Sequence, residues 1–412
     1  MARMSEHVYM DHAATTDMLP EALEAYTEQV RRGGNPASLH SGGRSARMAL
    51  EIGREQVAVG MSAEPVEVIL TSGGTEADNM GILGLYRARR AVDPARTVVV
   101  LSPVEHHAVT ETAQWLEKHE GAQLEWLAVD ETGRVAPETL RETLERVADR
   151  VALVTVMWAN NEVGTVQPIA EIGEICDSFD VPLHVDAVQA FGSIPVNAHL
   201  TGISTLAVSA HKLGGPVGVG ALYAPRTVKL EPSSYGGGQE RDVRSGTVNA
   251  AGAAAFGTAV ESVLADQPAE IIRLAGLRDR LVAGIRREVP DAVLRGTAPY
   301  APEREVEHPT RLPGNAHFTF PGCEGDSILF LFDAAGVSTS TGSACNAGVP
   351  RPSHVLLAMG VDEQTARGAQ RFSLGHATTE EDVDTVIAAV AEVYARAKAA
   401  GLSGHVPTTG SR

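Results

Sequence analysis

Between about residues 66 and 223 the chain repeats one pattern: a short apolar run rich in Val, Ile and Leu, a turn of small residues, and then a stretch with helical periodicity. Strand-like runs are read at residues 66–70, 97–101, 151–157, 182–189, 203–208 and 217–223, with helices over residues 20–32, 45–60, 79–90 and 169–179. Parallel strands need a crossover between them, and runs buried on both faces lose the polar alternation of a half-exposed strand. The pattern therefore predicts an α/β fold with a mostly parallel, doubly wound sheet, whose ligand site lies at the carboxyl ends of the strands. Further helices over 250–265 and 268–289, a strand over 315–320 and helices over 326–335 and 381–400 predict a second, smaller α/β domain.

At 412 residues the chain exceeds one compact core. Its 34 basic and 52 acidic residues give a net charge of −18, which argues against nucleic acid or an anionic membrane as the main partner. The first residues lack the apolar core of a signal peptide and no apolar run approaches a membrane span, so the expected location is cytoplasmic. Three scattered cysteines suit neither a disulfide framework nor a zinc site, and no metal is expected. Cys176 reads as a buried hydrophobe inside a helix, and Cys323 as an exposed thiol without chemical neighbours. Cys345 differs, because residues 338–350 surround it with small residues on a glycine-bearing loop, where a thiol reaches both substrate and acceptor.

Lys212 lies in Ser209-Ala-His-Lys-Leu-Gly-Gly-Pro216, a turn between two strand-like runs. Small neighbours let a ligand approach the backbone there, and a lysine in such a pocket can form a Schiff base. Residues 71–79, Thr-Ser-Gly-Gly-Thr-Glu-Ala-Asp-Asn, join a strand to a helix and point free amides at an anion. Asp186 ends a strand, with Gln189 three residues on. His106 and His107 stand where a strand gives way to a helix, so at most one is expected to face a site. Arg371, in an apolar run, requires a carboxylate partner from protein or substrate.

Taken together, Thr71-Ser-Gly-Gly-Thr-Glu, Glu105-His106, Asn160-Asn-Glu-Val-Gly, His184-Val-Asp-Ala-Val-Gln189, Ser209-Ala-His-Lys212, Arg244-Ser-Gly-Thr247 and Gly342-Ser-Ala-Cys345 resemble the NifS/IscS-type cysteine desulfurases. These belong to the class V aminotransferase superfamily, with pyridoxal-phosphate-dependent fold type I. The resemblance spans about residues 8–395. It implies a large domain over residues 16–264, a small domain from 1–15 and 265–400, and a disordered tail over 401–412. It also implies that Lys212 binds pyridoxal 5'-phosphate and shuttles a proton, Asp186 pairs with the ring nitrogen, Gln189 binds the ring hydroxyl, and His106 stacks on the ring and assists proton transfer. Gly74, Thr75, Ser209 and His211 would hold the phosphate, with Thr247 arriving from the second subunit of a homodimer. Asn161 and Arg371 would bind the carboxylate of L-cysteine.

The implied reaction converts L-cysteine to L-alanine and leaves Cys345 as a persulfide that feeds acceptor proteins for iron–sulfur cluster assembly or tRNA thiolation. The alternatives are another pyridoxal-phosphate lyase, an aminotransferase or a selenocysteine lyase, none of which requires Cys345. In two places the chain departs from the family pattern: residues 298–309 form a longer loop, and His376 stands where many members carry Arg.

Overall fold

The computed structural model of the chain describes residues 7–299, 306, 308–342 and 352–403. After β1 (Val8–Tyr9) come two helices, α1 (Pro20–Arg32) and α2 (Ser41–Gly60). An alternating series follows: β2 (Val68–Thr71), α3 (Gly74–Val92), β3 (Val98–Leu101), α4 (His107–Glu120), β4 (Gln123–Trp126), α5 (Pro137–Val147), β5 (Val151–Thr155), α6 (Ile169–Ser178) and β6 (Leu183–Asp186). The series closes with β7 (Ile203–Ser209) and β8 (Gly220–Tyr223).

These strands form a seven-stranded sheet in the order β2-β8-β7-β6-β5-β3-β4. β8 runs antiparallel to both neighbours, and every other pairing is parallel. The expected doubly wound sheet is present, with one reversed strand. The reversal goes with the link between β7 and β8, residues 210–219, which holds one short 3₁₀ turn rather than a helical crossover. Val98, Val99 and Val100 in β3 and Val151 to Val154 in β5 are buried on both faces, as continuous apolar strands require.

Helices α7 (Ala250–Leu264) and α8 (Gln267–Glu288) lead out of this unit. α7 packs against α1 and α2 at very short range. The contact needs Gly53, because a Cβ there would strike the Ala253 carbonyl. Beyond α8, β9 (Val293–Leu294), β10 (Asn315–Thr319), α9 (Gly325–Ala334), β11 (Val337–Ser338), α10 (His354–Ala358), α11 (Glu363–Arg367), β12 (Ala369–Ser373) and α12 (Glu380–Ser403) complete the chain. β10 lies antiparallel between β12 and β9, and β1 pairs in parallel with β11. Phe318, Phe320, Phe332 and Phe372 fill a second core, separate from the one that lines the large sheet.

Several boundaries differ from the sequence reading. Residues 65–67 form a 3₁₀ turn, so β2 starts at Val68 rather than Val66. α2 begins four residues before Ser45, where the His40 ring accepts from the Gly43 amide and caps it. Gly401 to Ser403, expected to belong to the tail, are part of α12, and residues 404–412 lie outside the described residues. Cys323, expected to be exposed, is 4% exposed, and burial raises its thiol pKa to about 11. Cys176 is buried as expected, with its pKa raised to about 12. Among the described residues no helix is long and apolar enough to cross a membrane.

Candidate functional site

The carboxyl ends of the parallel strands open onto a cavity of about 280 Å³. Its wall includes Gly74, Thr75, His106, Asn161, Asp186, Gln189, Ser209, His211, Lys212 and Arg371. Ten of the residues singled out from sequence therefore meet in one place. Thr247 does not join them, since it sits exposed on the coil before α7. Cys345 lies outside the described residues. A larger cavity of about 370 Å³ on the other side of Ala13 shares Gln189 and Lys212 but none of the other eight.

One end of the smaller cavity is suited to an anion. α3 starts at Gly74 with no side chain capping its first amides, so their N–H groups point into the space. Gly74 itself admits no side chain, because a Cβ there would stand 2.6 Å from Val188 Cγ2. Beside it Ser209 Oγ is buried without a hydrogen-bond partner. An unpaired buried hydroxyl is costly, and an anionic ligand oxygen is a partner it lacks within the protein. His211 also lines the cavity, its Nδ1 3.2 Å from Thr15 Oγ1. Burial and then the Lys212 charge lower its pKa to about 4.

The floor is acidic. Asp186 ends β6, is 5% exposed, and accepts at Oδ1 from the Val188 amide at 2.9 Å. Burial, followed by the nearby Asp78 carboxylate, raises its pKa to about 8. Asp78 Oδ1 lies 3.3 Å from His184 Nε2, and the other nitrogen of that ring is 2.8 Å from Thr205 Oγ1. Glu105 lies behind the wall, fully buried, with Oε1 accepting from the Met157 amide at 2.6 Å. Burial and the Asp186 charge drive its pKa well up. Such a group of buried carboxyls favours a cationic ligand group beside Asp186.

Lys212 lies in the 3₁₀ turn Ala210–Lys212 that follows β7. Its Nζ donates to the carbonyls of Ala13 and Ala14, both at 2.7 Å. Gln189 Nε2 donates to the same Ala13 carbonyl at 2.8 Å. Burial, then the Arg371 guanidinium, lowers the lysine pKa to about 8, so the neutral amine is far more accessible near neutral pH than for an ordinary lysine. His106 caps α4, accepting at Nδ1 from the Ala108 amide at 3.1 Å, which leaves its proton on Nε2. Burial and Lys212 hold that ring neutral, with a pKa of about 4. Contrary to the sequence reading, His107 lines the cavity as well.

Arg371, in the central part of β12, is 4% exposed. Its Nη2 is 2.7 Å from Asp11 Oδ1, and its Nη1 donates to the Asn161 carbonyl at 2.9 Å. Nε remains buried and unpartnered. Asp11, Ala13 and Ala14 also shape the site but carried no signal of their own in the sequence, whereas Glu162, which lines the cavity, stands in the Asn160-Asn-Glu-Val-Gly motif. Asp11 and Arg371 come together only through the pairing of distant strands, and a carbonyl is invisible in residue identity. Among the described residues no group of three metal-ligating side chains is present.

Comparison with known proteins identifies the family. The family described as Aminotransferase class-V matches residues 8–386. The IscS-like cysteine desulfurase of Mycobacterium tuberculosis is 50% identical over 395 residues, covering 96% of this chain and 98% of that protein. The cysteine desulfurase IscS of Clostridium botulinum is 42% identical over 388 residues, 93% of each chain. Among solved structures, a NifS-like protein superposes with a TM-score of 0.84 at 32% identity, covering 95% of this chain and all of that one. SspA in complex with cysteine superposes with a TM-score of 0.75 at 30% identity, over 89% of this chain and 98% of that one. The chain is therefore a member of the class-V aminotransferase family and, within it, of the NifS/IscS-type cysteine desulfurases.

Proposed function

We propose that the enzyme takes L-cysteine as substrate, releases L-alanine, and passes the sulfur through Cys345 to an acceptor protein, with pyridoxal 5'-phosphate as cofactor. The observation that carries the reading is the meeting of Lys212, Asp186 and an unpaired Ser209 hydroxyl beside the bare start of α3 in one cavity. This set of groups fits a phosphate at one end, a ring nitrogen cation at the other, and an amine for the aldehyde between them. When bound, the cofactor supplies an electron sink that allows the substrate α-proton to leave.

The protein's own groups then have distinct tasks. Gly74 and Thr75 amides, Ser209 and His211 would hold the phosphate, and Thr247 of a second copy would complete that seat in a homodimer. Asp186 balances the proton on the ring nitrogen, and Gln189 holds the ring hydroxyl. Lys212 would hold the cofactor through its amine, and the same amine is placed to move the substrate α-proton. Neutral His106 would cover the ring, and its Nε2 carries the proton available for exchange. Asn161 and Arg371 fix the substrate carboxylate, which orients its thiol.

Sulfur transfer requires a nucleophile that can later leave the site. The Cys345 thiolate attacks the substrate sulfur, so an S–S bond forms as the Cβ–S bond breaks. The electron pair of the broken bond stays with the substrate carbon, which takes up a proton and becomes the alanine methyl group. The persulfide then serves an acceptor, with an iron–sulfur scaffold first and a thiolation enzyme second.

The test is the mass of the Cys345 peptide after brief exposure of the purified holoenzyme to L-cysteine and alkylation, beside a Lys212→Ala control. One added sulfur that vanishes in the control is the expected result. A yellow, dimeric protein that adds none would refute the assignment.

A further inference from the structure

Asp11 follows β1, and its backbone is fixed by contacts that do not involve its carboxylate. It bridges in parallel to Ser373 at the end of β12, where the Ser373 N–H donates to the Met10 carbonyl at 2.8 Å and the His12 N–H to the Ser373 carbonyl at 3.2 Å. Its own carbonyl accepts from the Tyr9 hydroxyl at 3.1 Å and from the Ala14 amide at 3.0 Å. The side chain is thereby delivered to Arg371.

The guanidinium is held at two points, Nη2 at 2.7 Å from Asp11 Oδ1 and Nη1 at 2.9 Å from the Asn161 carbonyl. One contact on each terminal nitrogen fixes both the place and the plane of a rigid fork, and a carboxylate pairs well only in that plane. Asn161 gives a backbone oxygen. Asp11 is therefore the side chain that aims Arg371, and it does so from outside the cavity wall to which Arg371 belongs.

The same strip of chain meets Lys212, because the Ala13 and Ala14 carbonyls both accept from Nζ at 2.7 Å. The charged and titratable groups that act on this amine are Arg371 from β12, Asp11, Asp186 from β6, His106 at the start of α4 and His211 in its own turn. Arg371 disfavours the ammonium and Asp11 favours it, so the carboxylate offsets part of the arginine field at Nζ.

We propose that Asp11 is a positioning residue with two separable effects: through Oδ1 it holds the Arg371 guanidinium in the plane that meets the substrate carboxylate, and through its charge it balances Arg371 beside Lys212. The proposal rests on the cysteine desulfurase reading given above. Asp11 itself touches no reacting atom.

The experiment uses the full-length protein with Asp11→Asn and Asp11→Glu. Asparagine keeps an acceptor oxygen in place and removes the charge, whereas glutamate keeps the charge and displaces the oxygen by one methylene. Half-saturation by L-cysteine is read from the visible absorption of the holoenzyme, and the pH midpoint of pyridoxal phosphate capture from stopped-flow mixing with the apoenzyme. In Asp11→Glu, half-saturation should rise at least about tenfold with kcat changed much less, while the capture midpoint stays where it is in the wild type. In Asp11→Asn, half-saturation should stay within about threefold. Its capture midpoint should fall by at least about half a pH unit, because the ammonium has lost an anionic neighbour and the neutral amine appears at lower pH. If Asp11→Glu does not fold, Asp11→Ala replaces it and should show both changes together.

Equal half-saturation in the wild type and in the variant with a displaced or missing oxygen would overturn the positioning role. A capture midpoint that does not move in Asp11→Asn would overturn the charge balance. A wild-type holoenzyme whose absorption does not respond to L-cysteine would refute the substrate reading, while a lowered capture midpoint in Asp11→Asn would still support the coupling of Asp11 to Lys212.

Discussion

Arg371 Nη2 stands 2.7 Å from Asp11 Oδ1 across 360 residues of sequence, which ties Asp11 to the strand whose Arg371 lines the cavity. The salt bridge is largely withdrawn from water on the arginine side, where the side chain is 4% exposed. A guanidinium can serve Asp11, the Asn161 carbonyl and an incoming carboxylate together, because its five donors form a fixed fork. An ammonium cannot. Arg371→Lys is therefore expected to raise KM for L-cysteine about 10- to 100-fold and to lower kcat much less, measured as initial rates of alanine release. Equal KM values would show that the substrate carboxylate is bound elsewhere.

The fold was legible because burial leaves a compositional mark. Val98 to Leu101 and Val151 to Thr155 read as doubly covered strands and are such. The reversed β8 left no such mark, since strand direction is set by the connection and not by the side chains of Gly220 to Tyr223. Lys212, Asp186 and the start of α3 were legible because each sits at a strand end beside small residues. Asp11 was not, because its partner Arg371 lies 360 residues away. His107 was misread because alternation along an extended strand does not hold where the chain turns into α4.

Lys212 should govern how fast apoenzyme captures its cofactor. Only the neutral amine attacks an aldehyde, and the neutral form dominates above the pKa of the group. With that pKa lowered to about 8 by burial and by Arg371, the capture rate should rise with pH and level off above about 8. Stopped-flow absorbance of apoenzyme mixed with pyridoxal phosphate between about pH 6 and 10 follows this directly. A rate still climbing at pH 10, as for an ordinary lysine, would contradict the assigned environment.

Cys345→Ala should separate the two halves of the reaction. The residue is assigned no contact with the cofactor, so the variant should keep its yellow colour and the dimeric state proposed for the enzyme. Sulfide release and acceptor loading should fall at least about 1000-fold, because no other described cysteine is placed to substitute. Cys176 and Cys323 are both buried with raised pKa values. Retained turnover in the variant would remove Cys345 as the nucleophile.

Asp186→Asn should move stability and activity in opposite directions. A carboxyl raised from 3.8 to about 8 holds a proton in the folded apoprotein that the unfolded chain has released, throughout the range between those values. Stability attributable to this group therefore declines as pH rises from about 4 to about 8. Asparagine has no proton to lose, and removing the charge also relieves Glu105, whose pKa Asp186 helps to raise. The apo variant should thus melt a few degrees above apo wild type at pH 8, with the gap closing toward pH 5. Its holoenzyme should lose at least about 100-fold in kcat, because no carboxylate remains to hold the ring nitrogen's proton. Scanning calorimetry of both apoproteins at the two pH values decides the first half: a gap that does not vary with pH would mean that Asp186 is already ionised in the apoprotein, and that its buried charge is balanced by Lys212 rather than awaiting the cofactor.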